Sequence, residues 1–343
     1  MNEKFDYNFV FLFSIYDYYR AILGNEVINH PQVRYYKRAF NGNPFLQKIF
    51  RLHWSNKLNS IINLPFKRVW FRKMYEQNFD NDLPVCFVFF SFNYLKFDGG
   101  FTKYIKKRNP LNKIVSYHHD LISKKCDYDY NIIKNKVDLS VTYDKDESEK
   151  YNIHYFRNVV YSKIIPEPEK TNFEYDVYFL GNSKDRLEKI YEIFNYLSKN
   201  NVKCKFQLAG VPKEEQIDAV GLEYVDNIPY EENIKNVIKS KCILEIIQGG
   251  SSDVTLRTCE AIAYRRKLLT DCSLCDENFF NDNQLQKFND ALSIDIEFIK
   301  EDFSPEQFNP KINFSPLTRL FDIQSALEEN NESTFNFSDN SRI

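Results

Sequence analysis

Residues 176–210 read DVYFLGNSKDRLEKIYEIFNYLSKNNVKCKFQLAG, and this stretch decides the fold class. A short apolar run ends at Gly181, and apolar side chains then recur at helical spacing between Lys184 and Asn200. Residues 203–209 alternate between apolar and polar side chains and end at Gly210, as a strand does. A strand, a helix and a second strand in this order predict a parallel βαβ unit.

The same alternation of strands and helices continues along the second half of the chain. Strands are predicted at 222–225, 242–247 and 267–270, and helices at 230–240 and 254–264. The first half is less regular, with strand-like runs at 9–13, 86–90, 114–117 and 139–142. Two α/β domains are therefore expected, and the prolines at 166 and 168 mark the linker between them. We predict domains at 1–165 and 172–312, a helix at 313–328 that packs back, and a disordered tail at 329–343.

Composition and charge limit the possible function. The chain has 343 residues, 43% hydrophobic and 27% charged, which is typical of a globular protein with two domains. Residues 1–165 carry 26 Lys and Arg against 16 Asp and Glu, whereas the remainder carries 20 against 32. The two halves are therefore expected to face different partners. The net charge of −2 does not favour nucleic acid as the partner.

The seven cysteines are scattered and odd in number, which predicts reduced, buried thiols in a cytoplasmic protein. Cys272 and Cys275 form a single CxxC pair, and the five histidines lie far from it in sequence. A zinc site needs a second ligand pair, so we interpret this pair as incidental and expect no metal. The sequence shows neither a signal peptide nor an apolar run long enough to span a membrane.

Two loops of the second half follow predicted strands, where open α/β sheets bind ligands. In the first, Gly181 lets the backbone turn, and Lys184 and Arg186 suit a phosphate at a helix N-terminus; the alternative is a capped helix with solvated charges. The second, residues 248–260, reads QGGSSDVTLRTCE and places Arg257 and Glu260 on one helix face. The alternative there is a surface ion pair of little energetic value. Neither GxGxxG nor GxxxxGK[ST] occurs, which argues against nicotinamide dehydrogenases and P-loop ATPases.

Four stretches carry a resemblance to a known family: DVYFLGNSKDRLEKI, IPYEENIKNVIKSKCILEIIQGG, TLRTCEAIAYRRKLLT, and VDLSVTYDKDESEKYNIHYFRNVVYSK in the first half. The four stretches contain 81 of the 343 residues. They resemble GT-B-fold glycosyltransferases encoded in bacterial capsule, exopolysaccharide and lipopolysaccharide clusters. The resemblance implies an α/β fold of two Rossmann-like domains that face each other across a cleft. The second domain would bind a nucleotide-sugar donor, expected to be a UDP-sugar, and the first a glycan or lipid-linked glycan acceptor.

The resemblance also implies roles for individual residues. Glu260 would hold the ribose, and the base would lie near Asn227 and Tyr230. The other implied donor-site residues are Gly181, Asn182, Lys184, Arg186, Gln248, Gly249, Gly250, Ser251, Ser252, Thr255 and Arg257. Many retaining members carry Glu where this chain has Ser252, so the stereochemistry of transfer stays open. Helix N-termini and Arg or Lys can neutralise the leaving diphosphate, so neither a metal nor another cofactor is expected.

The first half should supply the acceptor site and a general base. His118, His119 and Asp120 follow a predicted strand and could deprotonate an acceptor hydroxyl; adjacent histidines also cap or pack. Tyr16, Asp17 and Tyr18, which follow the first strand, are candidate acceptor-binding residues.

Residues 48–73 combine seven basic side chains with aromatic ones and contain no acid. This pattern suits an anionic membrane, with Trp54, Lys67, Arg68, Trp70 and Arg72 as the contacts. A packed helix pair and a base-stacking nucleic-acid surface are the alternatives.

Taken with these patterns, the resemblance implies a cytoplasmic glycosyltransferase that builds a surface polysaccharide or lipopolysaccharide, peripheral at the inner face of the cell membrane. An epimerase or hydrolase acting on nucleotide sugars with the same fold is the enzymatic alternative. A non-catalytic binding or assembly subunit is the alternative from another class.

Overall fold

The computed structural model divides into two units, described separately below. Unit 1 comprises Met1–Phe156 and Pro316–Ile343, and unit 2 comprises Arg157–Ser315. The division thus falls at Phe156, before the prolines that marked the predicted linker. The described residues are 4–13, 18–90, 92–119, 121–123, 130–157, 160–168, 172–226, 228–249, 253–275, 279–280, 283–302, 304–305, 308 and 315–339.

Unit 1 is built on a six-stranded sheet in the order β2-β1-β3-β4-β5-β6, in which every pairing is parallel. The strands are β1 (Asn8–Leu12), β2 (Val33–Tyr35), β3 (Val85–Phe89), β4 (Lys113–His118), β5 (Leu139–Thr142) and β6 (His154–Tyr155). The helices before the unit boundary are α1 (Tyr19–Ile28), α2 (Pro44–His53), α3 (Asn56–Ile61), α4 (Phe71–Tyr75), α5 (Phe92–Lys96), α6 (Phe101–Arg108), α7 (Asn131–Lys134) and α8 (Lys145–Tyr151).

Unit 2 is a second six-stranded parallel sheet, in the order β12-β11-β10-β7-β8-β9. Its strands are β7 (Tyr175–Asn182), β8 (Cys204–Ala209), β9 (Leu222–Tyr224), β10 (Ser240–Glu245), β11 (Lys267–Thr270) and β12 (Leu285–Lys287). Its helices are α9 (Leu187–Lys199), α10 (Tyr230–Ile238), α11 (Leu256–Ala263) and α12 (Ile296–Lys300). The strand order reverses between β7 and β10, where doubly wound sheets open a crevice at their carboxyl ends.

The last helix, α13 (Leu317–Asp339), belongs to unit 1. Its residues Leu320, Ile323 and Leu327 are fully buried, and the ring of Phe321 lies 4.8 Å from that of Phe5. The prediction that a C-terminal helix packs back is therefore confirmed. The helix is described as far as Asp339, and the disordered tail expected from residue 329 stays a prediction.

The prediction of two parallel α/β units is thus confirmed. Strands β5 and β11 have the predicted bounds, and the other predicted strands differ by one or two residues at their ends. The sequence did not predict β2, β6 and β12, which have only two or three residues. Such strands are too short for a periodic pattern to identify them.

Candidate functional site

A cleft of about 270 Å³ lies in unit 2 at the carboxyl ends of β7 and β8. Its floor comes from the end of β7, at Leu180, Gly181 and Asn182. One wall comes from Tyr230 and Asn233 of α10, and another from Leu256, Arg257 and Glu260 of α11. Of the predicted donor-site residues, the structure therefore brings Gly181, Asn182, Tyr230, Arg257 and Glu260 together around one cleft.

Two guanidinium groups converge beside Gly181. A Cβ atom at Gly181 would lie 3.2 Å from Nη2 of Arg186, 3.2 Å from Nη2 of Arg257 and 2.8 Å from the ring of Phe179. A side chain at this position would therefore displace the Phe179 ring and crowd both guanidinium groups. The two cations disfavour each other: burial first, and the charge of Arg257 next, lower the pKa of Arg186 to about 10.

Backbone carbonyls hold both arginines in place. Arg257 donates through Nη2 to the carbonyl of Leu180, and Arg186 donates to the carbonyls of Asn182 and Ile246. Among the residues that the structure describes, neither arginine has a carboxylate within ion-pair distance. The surface ion pair of Arg257 with Glu260 is therefore not formed, and a positive charge is left for an anion at the end of β7.

Glu260 lies on the same wall and is almost fully buried. Its Oε1 accepts from the hydroxyl of Tyr230 at 2.7 Å and from Nδ2 of Asn233 at 3.0 Å. The hydroxyl of Tyr230 also lies 2.9 Å from that of Tyr161, and Asn233 accepts from the hydroxyl of Tyr178. Both known donors thus bind Oε1, which leaves Oε2 without a hydrogen-bond donor among the described residues.

Burial dominates the ionisation of this network. It raises the pKa of Glu260 to about 7, although the two hydrogen bonds and the charge of Arg257 act in the opposite direction. Burial, and then the charge of Glu260, raise the pKa of both Tyr161 and Tyr230 well above 10. The tyrosines therefore stay protonated and act as hydrogen-bond donors near neutral pH, where Glu260 titrates.

A second buried carboxylate fixes the position of α11, which carries Arg257 and Glu260. Glu245, at the end of β10, accepts from the hydroxyls of Thr255 (2.6 Å), Thr258 (2.9 Å) and Thr270 (2.6 Å). It also accepts from the backbone N–H of Thr255, which caps α11. Glu245 was not predicted from the sequence, where the available signal was a charged residue within the apolar run 242–247.

The two predicted loops meet beside the cleft. Nζ of Lys184 donates to Oε1 of Gln248, and a Cβ atom on Gly249 would lie 2.9 Å from Oδ2 of Asp185. The hydroxyl of Thr255 is occupied by Glu245 and by the N–H of Arg257. These four predicted residues therefore support the cleft without lining it. Asn227, Gly250, Ser251 and Ser252 lie outside the described residues.

In unit 1, aromatic rings gather at the carboxyl ends of β1, β3 and β4. His119 stacks on Tyr117, with ring centres 4.4 Å apart, and contacts Tyr19 and Phe90 at 4.7 and 4.9 Å. Burial, and then the charges of Arg319 and His118, hold the pKa of His119 well below 6.5. Its imidazole is therefore neutral at pH 7, with Nε2 buried and without a hydrogen-bond partner in the described part of the chain.

The other residues of unit 1 that were predicted to act in catalysis or acceptor binding are His118, Tyr18, Tyr16, Asp17 and Asp120. His118 is buried, with Nε2 3.2 Å from the hydroxyl of Ser116, and Tyr18 is half-buried with its ring against Tyr19. Tyr16, Asp17 and Asp120 lie outside the described residues.

Three of the predicted membrane contacts are wrong, because their side chains lie in the core. Trp54 and Trp70 are buried among phenylalanines, each within 6 Å of the ring of Phe50. Lys67 is 3% exposed, and its ammonium donates to Asn59 and Asn63 at 2.7 and 2.9 Å. Arg68 and Arg72 are exposed, and Arg72 pairs with Glu76.

The described cysteines, which exclude Cys126, are buried free thiols. No cluster of three or more His, Cys, Asp or Glu suited to a metal ion occurs in the described ranges. Within the same ranges, every helix is too short or too polar to cross a bilayer.

No protein-family model and no curated protein matches the chain. Among solved structures, an alpha-glucosyltransferase in complex with UDP and a 13-mer DNA is 9% identical, with a TM-score of 0.42 over 60% of this chain and 63% of that one. TarM is 14% identical, with a TM-score of 0.40 over 72% of this chain and 51% of that one. The T4 phage BGT in complex with UDP-glucose is 12% identical, with a TM-score of 0.39 over 77% and 84%. The alignments thus span less than two thirds of the first two of these chains.

Proposed function

We propose that the protein is a glycosyltransferase that takes a sugar from a nucleotide diphosphate, with a UDP-sugar as the expected donor. The observation that carries the proposal is the pair Arg186 and Arg257, which converge on Gly181 without a carboxylate partner in the described part of the chain. A diphosphate placed there would receive charge-assisted hydrogen bonds from both guanidinium groups. The N-terminus of α11 would add its dipole.

Glu260 supports the nucleoside half of the proposal. Glu260 lines the same cleft as Arg257, so a ribose bound there could donate its hydroxyls to this carboxylate while the base reaches Tyr178 and Tyr230. The acceptor, a glycan or lipid-linked glycan of a cell-surface polymer, would bind unit 1. There the aromatic cluster around His119 suits a sugar ring, and the neutral imidazole is the proposed general base.

The test is a thermal-shift panel with UDP, dTDP, GDP and CMP on the wild type, Arg186→Gln and Arg257→Gln. A nucleotide at about a hundred times its Kd should stabilise the fold by roughly 2.7 kcal/mol. We expect a diphosphate to shift the midpoint, and each arginine variant to lose most of that shift. Lys235→Gln, which removes an exposed cation from α10 outside the cleft, is the matched control and should keep the shift.

The outcomes separate the alternatives. If no nucleotide stabilises the protein, the donor site does not exist. The better interpretation is then a non-catalytic binding or assembly subunit. Donor turnover that is independent of added glycan would favour the hydrolase or epimerase instead.

A further inference from the structure

Residues 45–69 of unit 1 expose eight large apolar side chains, while the polar side chains of Asn59 and Lys67 are buried, as are Phe50 and Trp54. Asn59 and Lys67 are each 3% exposed, whereas Ile61 and Phe66 are 75% and 79% exposed. Fifteen large hydrophobic side chains are exposed in the described part of the chain, and eight of them fall in this short segment: Phe45, Ile49, Leu52, Leu58, Ile61, Ile62, Phe66 and Val69. Scattered exposed apolar residues are normal, but a cluster of this density marks an interaction surface.

Hydrogen bonds between its elements hold the segment together. His53, at the end of α2, donates through Nε2 to the carbonyl of Pro65 and accepts at Nδ1 from Nε1 of Trp70 at 2.9 Å. Asn59 of α3 donates to the carbonyl of His53 and accepts from Nζ of Lys67 at 2.7 Å. The exposed apolar side chains are therefore carried by elements that are fixed to one another.

Backbone strain at Phe66 also indicates that the segment is an interaction surface. Phe66 has φ 62° and ψ 21°, the left-handed conformation that glycine and asparagine adopt far more readily than aromatic residues. Its ring lies in solvent, so packing within the fold does not explain why a phenylalanine stands there. A strained residue that stabilises nothing in its own fold suggests a role in binding.

The basic side chains of this segment indicate what kind of partner it binds. The sequence contains no acidic residue between Glu26 and Glu76. Lys48, Arg51, Lys57 and Arg68 are exposed among the apolar side chains, and within the described residues none of them forms an ion pair. A second copy related by a two-fold axis through this segment would place these cations against their own kind. Nucleic acid would leave the aliphatic side chains of Ile61, Ile62 and Val69 without bases to stack on.

We propose that these eight apolar side chains and the cations beside them, here called the 45–69 face, dock on the surface of an anionic lipid bilayer. The apolar side chains would enter the boundary between headgroups and acyl chains, and the cations would meet lipid phosphates. This proposal does not rest on the glycosyltransferase function, since neither a donor nor an acceptor takes part.

The test is flotation of the full chain with phosphatidylcholine vesicles, with and without one third phosphatidylglycerol, at low and high salt. We expect binding only to the anionic vesicles and weakening with salt. The double variant Ile61→Ser/Phe66→Asn should lose about tenfold or more in vesicle affinity. The double variant Lys57→Gln/Arg68→Gln should lose about fivefold in affinity for anionic vesicles for each cation removed, measured at low salt.

Matched controls remove equally exposed side chains from unit 2. Val220→Ser/Leu292→Ser removes two apolar side chains that are 101% and 80% exposed, and Lys199→Gln/Lys213→Gln removes two exposed cations. Both controls should bind vesicles as the wild type does. Because Asn tolerates the left-handed conformation, Phe66→Asn should not lower the thermal midpoint, so lost binding would not reflect unfolding.

Several results would overturn the proposal. These are a wild type that stays unbound with anionic vesicles, equal binding to neutral vesicles, or losses no larger than those of the controls. Concentration-dependent dimers that disappear in Ile61→Ser/Phe66→Asn, without vesicle binding, would assign the 45–69 face to a second copy. Binding of single-stranded RNA that depends on the same face would assign it to nucleic acid.

Discussion

Glu260 is the cleft residue whose carboxyl has a strongly raised pKa. Its pKa is raised by burial from 4.5 to about 7, so the folded state retains a proton that the unfolded state releases. The protonated carboxyl of Glu260 therefore contributes fully to the stability of the fold below pH 4.5, and this contribution is lost as the pH rises to about 7. One pKa unit corresponds to 1.36 kcal/mol, so the free energy of unfolding should fall by about 3 kcal/mol over this range.

Glu260→Gln should remove this loss, because the amide cannot ionise while its oxygen still accepts from Tyr230 and Asn233. Urea unfolding at pH 5 and pH 8 measures this effect. The free energy of unfolding of the variant, relative to that of the wild type, should be higher at pH 8 than at pH 5. Glu188→Gln, at an exposed carboxylate of α9, is the control and should follow the wild type. Parallel pH profiles for wild type and Glu260→Gln would mean that the carboxyl titrates near its ordinary pKa.

At the residue scale, local spacing predicted part of the cleft. Arg257 and Glu260 were identified because they lie three apart in a helix that follows a loop, and Gly181 because it ends a strand. Tyr161, Tyr178 and Asn233 were not identified, because they come from separate elements and meet Glu260 only in the fold. Hydrogen bonds between residues far apart in sequence leave no periodic signal.

At the element scale, the position of α11 depends on Glu245. This carboxylate accepts four hydrogen bonds from groups of α11, its cap and β11, and it lies fully buried. Glu245→Gln keeps the shape but replaces one acceptor oxygen with an N–H₂ donor, which then faces hydroxyl donors. Leaving buried polar groups unsatisfied costs about 1–3 kcal/mol, so urea unfolding should show a loss of that size.

The control is Glu223→Gln on β9, whose carboxylate is half-exposed and pairs with Lys205 at 3.0 Å. An exposed pair is worth about 0–1 kcal/mol, so this variant should remain close to the wild type. Because α11 carries Arg257 and Glu260, Glu245→Gln should also weaken the proposed nucleotide binding. Equal losses in the two variants would show that Glu245 does not anchor α11.

At the scale of the whole molecule, alternation of strands and helices was enough to predict two parallel sheets. It did not determine which side of the 48–73 segment faces inward. Trp54, Trp70 and Lys67 were assigned to the surface because they stand in a basic, aromatic stretch, yet all three are buried. Composition records which side chains a segment contains, whereas their direction depends on contacts such as those of Asn59 and His53 with later residues.

The assignment of α13 to unit 1 gives a prediction about the whole chain. Its buried residues Leu320, Ile323 and Leu327 each contribute about 2 kcal/mol of apolar burial, and Gln324 bonds to Asp6. Their sum is comparable with the roughly 5–15 kcal/mol that stabilises an ordinary domain. A chain that ends at Ser315 should therefore lose the cooperative unfolding of unit 1 and keep that of unit 2. Calorimetry should show one remaining transition, which UDP should still raise under the proposed donor binding by unit 2, whereas a chain that ends at Asn330 should keep both. If the truncation at Ser315 abolished the UDP-sensitive transition as well, α13 would be required for unit 2, and the two units would not be separate folding units.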